Sequence, residues 1–126
     1  MVTPENLKYS KSHEWVEFLP DGAARVGISD YAQHELGDIV FVNLPAEGDS
    51  VTAGGRLADV ESVKAVSDIF SPVAGTVRAV NPDLENAPEA INQKPYEAWI
   101  CEIEGLGETE ELLDAAAYQA FCEEAG

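Results

Sequence analysis

Leu57-Ala58-Asp59-Val60-Glu61-Ser62-Val63-Lys64-Ala65-Val66-Ser67-Asp68-Ile69-Phe70 decides how this chain folds. Apolar runs at Leu57–Val60 and Asp68–Phe70 read as strands, and the tight segment Glu61–Ala65 between them reads as the tip of a β-hairpin. Two stretches echo each other on either side. Gly48-Asp49-Ser50-Val51-Thr52-Ala53-Gly54 leads into the first strand, and Ser71-Pro72-Val73-Ala74-Gly75-Thr76-Val77 follows the second. The quasi-repeat puts Lys64 at its midpoint, where a side chain projects farthest from the body of the protein.

The same alternation of short apolar runs and turn residues extends outward. Glu14–Leu19, Ala23–Ile28, Ile39–Leu44, Thr76–Val80 and Ala98–Ile103 are further predicted strands, punctuated by Pro20-Asp21-Gly22, Pro45-Ala46-Glu47-Gly48-Asp49 and Ala53-Gly54-Gly55. Many short strands with Gly/Pro turns predict a mainly β protein, a flattened antiparallel barrel or sandwich. Two helices are expected. The first covers 31–36, with Asp30 and Gln33 at capping-box spacing and Gly37 as its stop. The second covers 110–124, with Thr109 as N-cap, Glu110 and Glu111 near the positive pole, and Leu113, Ala117 and Phe121 as the stripe docked on the barrel. Between Asn81 and Trp99 the prolines at 82, 88 and 95 predict an ordered loop, with one possible helical turn over Pro88–Ile91.

A chain of 126 residues suits one domain over 1–126, since compact domains most often run to about 100–150 residues. With 45% hydrophobic residues it can build a core, so the 24 acidic side chains and the formal charge of −17 do not imply disorder. That charge argues against nucleic acid or an anionic membrane as partner, because both are polyanions. It favours solubility and steering toward basic docking faces. Cys101 and Cys122 are far apart and match neither a disulfide framework nor a zinc site. The start, Met1-Val2-Thr3-Pro4-Glu5, has no basic region or apolar core, so the chain reads as cytoplasmic, although a mature organellar protein given a start Met would look the same. A monomer is expected.

Lysine suits a covalent attachment point, because its flexible stem adds reach and its amine can attack an activated acyl group. Only four lysines exist: Lys8 and Lys11 near the terminus, Lys94 in the Pro-rich stretch, and Lys64. An exposed turn lysine is ordinarily a solvated charge. The half-repeats that converge on Lys64 set it apart.

The chain resembles the H protein of the glycine cleavage system, a stand-alone relative of lipoyl and biotinyl domains. The resemblance runs through Leu7-Lys8-Tyr9-Ser10, Ser12-His13-Glu14-Trp15, Val26-Gly27-Ile28-Ser29, Leu36-Gly37-Asp38-Ile39-Val40-Phe41-Val42 and Glu61-Ser62-Val63-Lys64-Ala65. It continues through Ser71-Pro72-Val73-Ala74-Gly75, Ile91-Asn92, Pro95-Tyr96 and Leu112-Leu113-Asp114. It implies two antiparallel sheets and lipoate amide-linked to Lys64. It also implies that the arm receives the aminomethyl group of decarboxylated glycine from a pyridoxal-phosphate glycine decarboxylase (P protein). The arm would deliver this group to a tetrahydrofolate-dependent aminomethyltransferase (T protein), and dihydrolipoamide dehydrogenase (L protein) would reoxidise it. A lipoate-attaching enzyme is a fourth partner, for which Glu61 is a recognition candidate. By the same resemblance Glu14 and Asp68 would pair with the loaded arm's amine, Ser12 would hydrogen-bond, and Ile28, Leu36 and Ala65 would line an apolar groove. Glu14 can equally be a solvated strand residue, and Ile28 and Leu36 plain core. The stretch Tyr96-Glu97-Ala98-Trp99 departs from the family pattern, which often has a glycine before the Trp.

Rival readings differ in class. A biotin carrier usually presents Met-Lys-Met, whereas Lys64 lies between Val63 and Ala65. Lipoyl domains of 2-oxo acid dehydrogenases are tethered to catalytic domains that this chain lacks. An independent enzyme would need a nucleophile–base or metal constellation, and none is recognisable, so the chain reads as a non-catalytic carrier with no metal. His13 is expected to have a structural or surface role and no catalytic one. A relay that donates lipoate to other lipoylated proteins, or a biotin carrier domain, is the alternative.

Overall fold

Strands form where β-branched and aromatic residues cluster, and loops form at the Gly/Pro punctuation. In a computed structural model describing residues 2–125, the elements are β1 (Lys8–Tyr9), β2 (Glu14–Phe18), β3 (Ala24–Ile28), α1 (Asp30–Leu36), β4 (Ile39–Asn43), β5 (Ser50–Val51), β6 (Arg56–Ser62) and β7 (Val66–Phe70). They continue with β8 (Gly75–Val80), α2 (Asp83–Asn86), α3 (Ala90–Gln93), β9 (Cys101–Glu104) and α4 (Ala115–Ala125). All strand pairs are antiparallel, in a six-stranded sheet ordered β1-β2-β3-β9-β8-β5 and a three-stranded sheet ordered β4-β6-β7. The expected mainly β, two-sheet architecture is what the chain adopts. β5 pairs with β8 and β6 with β7, so the two halves of the quasi-repeat pair about the hairpin tip.

The main core lies between the sheets. Val16, Val26 and Ile103 from the larger sheet join Val42, Val60 and Ile69 from the smaller one, and Leu84 and Ile91 close it from α2 and α3. Those two helical turns occupy the segment expected to be loop with a turn over Pro88–Ile91. Each buries one apolar side chain, which is enough to dock a turn that the prolines keep short. A second cluster, built from Leu7, Tyr9, Trp15, Ala115, Tyr118 and Cys122, packs α4 over β1 and β2.

Three expectations are corrected. α1 is capped by Ser29, whose Oγ accepts from Ala32 N, while Asp30 accepts from the Gln33 side chain instead of acting as the cap. The strand expected over Ala98–Ile103 begins only at Cys101, because Ala98 N is used in a turn to Lys94 O.

The C-terminal helix starts at Ala115, not at 110. Residues 107–113 are held extended, since Glu110 N donates to Pro72 O at 2.8 Å, Ala74 N to Glu108 O at 2.7 Å, and Leu113 and Tyr9 exchange backbone hydrogen bonds. Thr109 therefore caps nothing. Asp114 takes that role, with its Oδ1 accepting from Ala117 N at 2.8 Å. The buried stripe becomes Ala115, Tyr118 and Cys122, leaving Leu113 and Phe121 half-buried and Ala117 exposed.

Candidate functional site

The hairpin tip is closed by Ser62, the last residue of β6. Ser62 N donates to Ala65 O at 2.8 Å, and Ser62 Oγ accepts from Ala65 N at 3.1 Å and Lys64 N at 3.3 Å. Val63 N donates to Asp38 O at 3.0 Å, which fastens the tip to the entry of β4. The expected tip at 61–65 narrows to Val63–Ala65, because the strands run through Ser62 and resume at Val66.

Lys64 is exposed, and its stem crosses Gly37, where a Cβ would stand 3.5 Å from Lys64 Cε. Gly37 ends α1 with a φ of +81°, a conformation for which glycine is the cheapest residue. Asn92 on α3 locks that corner. Its Nδ2 donates to Gly37 O at 2.9 Å and to Gln33 Oε1 at 3.0 Å, while its Oδ1 accepts from Ile39 N at 2.8 Å.

Charge pairing singles out the same amine. Among the described residues Arg25, Arg56, Arg78, Lys11 and Lys94 each have a carboxylate within 4.0 Å, whereas Lys64 and Lys8 have none. A lysine at a rigid tip with no anionic partner is accessible to an enzyme that must deprotonate it.

Glu14 has a different environment. Only 2% exposed, its Oε1 accepts from Ser10 Oγ at 2.6 Å and Ser12 Oγ at 2.5 Å, and its Oε2 accepts from Phe70 N at 3.2 Å. It thus joins β2 of one sheet to the otherwise free edge of β7 in the other, where a backbone N–H would lack a partner. Burial raises its pKa above the usual carboxylate range, opposed by the serine and Phe70 hydrogen bonds. A cavity of about 380 Å³ lined by Ser10, Lys11, Ser12, Glu110 and Glu111 opens over these serines, with Lys11 Nζ and Glu111 Oε1 2.6 Å apart.

The remaining sequence candidates are placed as follows. Ile28 is buried directly opposite Glu14 in the β2–β3 register, and Leu36 packs against the same core one residue before Gly37. Ala65 is exposed beside Lys64. Asp68 is half-exposed on β7, and its Oδ1 accepts from Arg56 Nε at 3.1 Å, so its charge is already countered; Arg56 also binds Asp59. Glu61 is exposed and lies across from both Phe41 and Val66.

Roles for Ser29, Asn92, Arg56 and Tyr118 escaped the sequence reading. Ser29 carried a signal as a preferred N-cap residue just before the predicted helix, and Asn92 as an amide directly after an isoleucine between two prolines. His13, expected to have a structural or surface role, adopts a φ of +76° and sets its Nδ1 2.8 Å from Tyr118 Oη.

The raised pKa of Glu14 makes a signed prediction. With the folded pKa above the unfolded one, the native state holds its proton longer, so this group's contribution is greatest at acid pH and is lost as pH rises through the folded pKa. Glu14→Gln removes the buried charge and can still accept from Phe70 N, because the two serine hydroxyls can rotate to accept from an amide. The variant is expected to melt a few degrees higher than wild type at neutral pH, with the gap closing toward pH 4. Equal melting temperatures across that range in calorimetry would refute it.

Comparison with known proteins converges on one family. The model of the family described as "Glycine cleavage H-protein" matches residues 7–125. The chain belongs to the glycine cleavage H-protein family. It is 53% identical over 121 residues to the glycine cleavage system H protein of Lachnoclostridium phytofermentans, covering 96% of this chain and 95% of that one. It is 52% identical over 120 residues to the probable glycine cleavage system H protein of Pyrococcus furiosus, covering 93% and 90%. The crystal structure of a glycine cleavage system H protein from Mycobacterium marinum superposes with a TM-score of 0.87 at 36% identity, covering 98% of each chain. No described helix is long and apolar enough to cross a membrane.

Proposed function

We propose that residues 1–126 act as one carrier domain of the glycine cleavage system. Lys64 would bear lipoate in amide linkage, and the protein would serve as the shared substrate of the glycine decarboxylase, the aminomethyltransferase and dihydrolipoamide dehydrogenase, carrying the aminomethyl group between the first two. The observation that carries this reading is Lys64 itself: an exposed amine without a carboxylate partner, on a hairpin tip closed by Ser62, in a chain of this family.

The residues present fit such a group. When attached, lipoate supplies a disulfide ring that opens to take up a one-carbon amine unit and is closed again by oxidation. Lys64 anchors the arm, and the surface beside its stem at Gly37 and Leu36 gives the arm's methylenes an apolar place to rest. Glu14 offers a carboxylate held in place by Ser10 and Ser12, with a cavity above it, which suits a cationic amine that must be kept from water. Asp68 supplies a second carboxylate only if Arg56 shares it. Glu61, facing out next to the tip, is available to the lipoate-attaching enzyme. Once lipoate is attached to Lys64, no step in this scheme asks an amino-acid side chain of this protein to catalyse the making or breaking of a bond, which is the role of a carrier and not of a catalyst.

Reconstitution tests the reading. The lipoylated protein mixed with the three enzymes is expected to support glycine- and tetrahydrofolate-dependent reduction of NAD+, which should disappear when the protein is omitted. Failure to turn over glycine while lipoyl groups move to other lipoylated proteins would identify a relay. Biotin on Lys64 would overturn both.

A further inference from the structure

We infer that Tyr118 is a positioning residue for the arm cleft: its hydroxyl, delivered from α4, ties the turn carrying Ser12 and Glu14 to the N-terminus of α1. This inference rests on the proposed role of Glu14 as partner of the loaded arm. Tyr118 is fully buried and stacks on Tyr9, with ring centroids 4.5 Å apart and planes 9° from parallel. Its Oη lies 2.6 Å from Ser29 Oγ and 2.8 Å from His13 Nδ1. Ser29 caps α1, and Ser29 N also donates to His13 O at 3.0 Å. One hydroxyl therefore touches both the turn that carries Ser12 and Glu14 and the residue that caps α1. On one side His13 stands between Ser12 and Glu14. On the other, Ser29 joins Ile28 to α1, which ends at Leu36 and Gly37, under the Lys64 stem.

Burial keeps the Tyr118 hydroxyl protonated and favours a neutral His13 ring. With Tyr118 O–H donating to His13 Nδ1, Ser29 O–H donating to Tyr118, and Ser29 Oγ accepting from Ala32 N, both hydroxyl hydrogens and the Ala32 amide have acceptors. The link holds a non-glycine residue at positive φ, a conformation that needs support from its surroundings. Stacking on Tyr9 would hold α4 in place without the hydroxyl. Oxygen at this position therefore serves the turn and not the helix.

Carboxyl NMR of Glu14 across a pH titration, on unmodified protein, reads the turn directly. Tyr118→Phe keeps the ring stack, and Leu7→Ala opens space in the same cluster while leaving the hydroxyl in place. In Tyr118→Phe the Glu14 midpoint is expected to fall by about half a pH unit or more as water enters the turn. In Leu7→Ala it should stay at the wild-type value. On lipoylated protein, the arm loaded with the one-carbon amine unit should be hydrolysed several-fold faster in Tyr118→Phe than in Leu7→Ala. An unmoved midpoint in Tyr118→Phe, an equal movement in Leu7→Ala, or an unchanged lifetime of the loaded arm would each overturn the inference. Should Tyr118→Phe not fold, His13→Asn severs the same link at a residue type that tolerates positive φ, and is held to the same outcomes. A protein that takes up no lipoate leaves the titration readable, so failure of the carrier reading is separately visible.

Discussion

Lys64→Arg is expected to leave expression with no lipoyl mass increment, and to abolish glycine-dependent turnover, while melting at the wild-type temperature. Arginine keeps the positive charge and most of the stem that passes Gly37. Its guanidinium cannot shed a proton near neutral pH, so it has no nucleophilic form to offer an activated acyl group. The tip is closed by Ser62 and by Val63 N on Asp38 O, neither of which involves the lysine side chain, so the hairpin should keep its shape. Intact mass and a thermal scan separate the two claims. Lys8 provides an internal control, being the other lysine without a carboxylate within 4.0 Å among the described residues. If the increment persists in Lys64→Arg and maps to Lys8, lack of an ion-pair partner and not place in the hairpin has decided the site, and the carrier geometry proposed above fails.

Gly27→Ala is expected to cost the fold much of its stability. Trp15 and Gly27 are direct cross-strand partners in β2 and β3, and the Trp15 ring lies over the glycine. An added Cβ would come within 2.6 Å of the ring's Cε2, Cζ2 and Nε1, closer than carbon tolerates. Trp15 is only 1% exposed and its Nε1 donates to Pro95 O at 3.0 Å, so moving the ring breaks that bond and disturbs the contacts of Tyr9 and Tyr118. Overpacking of this kind costs about 3 kcal/mol. For a domain of this size that lowers the melting temperature on the order of 10 °C. Because the disturbed cluster lies under α4 and not under the hairpin, Lys64 should still be modified in whatever fraction remains folded. A melting temperature within a degree or two of wild type would show that the second cluster yields more easily than its burial suggests.

Strands were legible because period and punctuation are local properties, and β2, β3, β4 and β8 begin and end within a residue of the apolar runs that signal them. The helix start was not. Thr109-Glu110-Glu111 is a good helical opening in isolation, yet the backbone of that stretch is consumed by Pro72 and Ala74, and nothing near residue 110 in sequence announces partners so far away. Lys64 was legible from symmetry about the hairpin. The setting of Glu14 was only half legible: a glutamate opening an alternating strand ordinarily faces water, but β2 buries Glu14, Trp15 and Val16 in succession, because a second sheet edge and a second cluster claim opposite faces. Tyr118 was invisible in this sense, since its hydroxyl partners lie 89 and 105 residues away.

The hydrogen-bonded closure of the hairpin tip has a kinetic consequence. Ser62 fixes the backbone at Lys64, so the conformational freedom available for visiting an active site belongs to the side chain and whatever it bears. A short tether on a fixed post confines its free end to a small shell, giving an effective concentration of roughly millimolar at any catalytic centre within reach once the body has docked. A tip that frayed would spread the same reactive end through a larger volume and dilute it. With Ser62 in place, how often the cargo meets its enzyme depends on docking and undocking of the body, and a surface with a net charge of −17 makes those events sensitive to ionic strength.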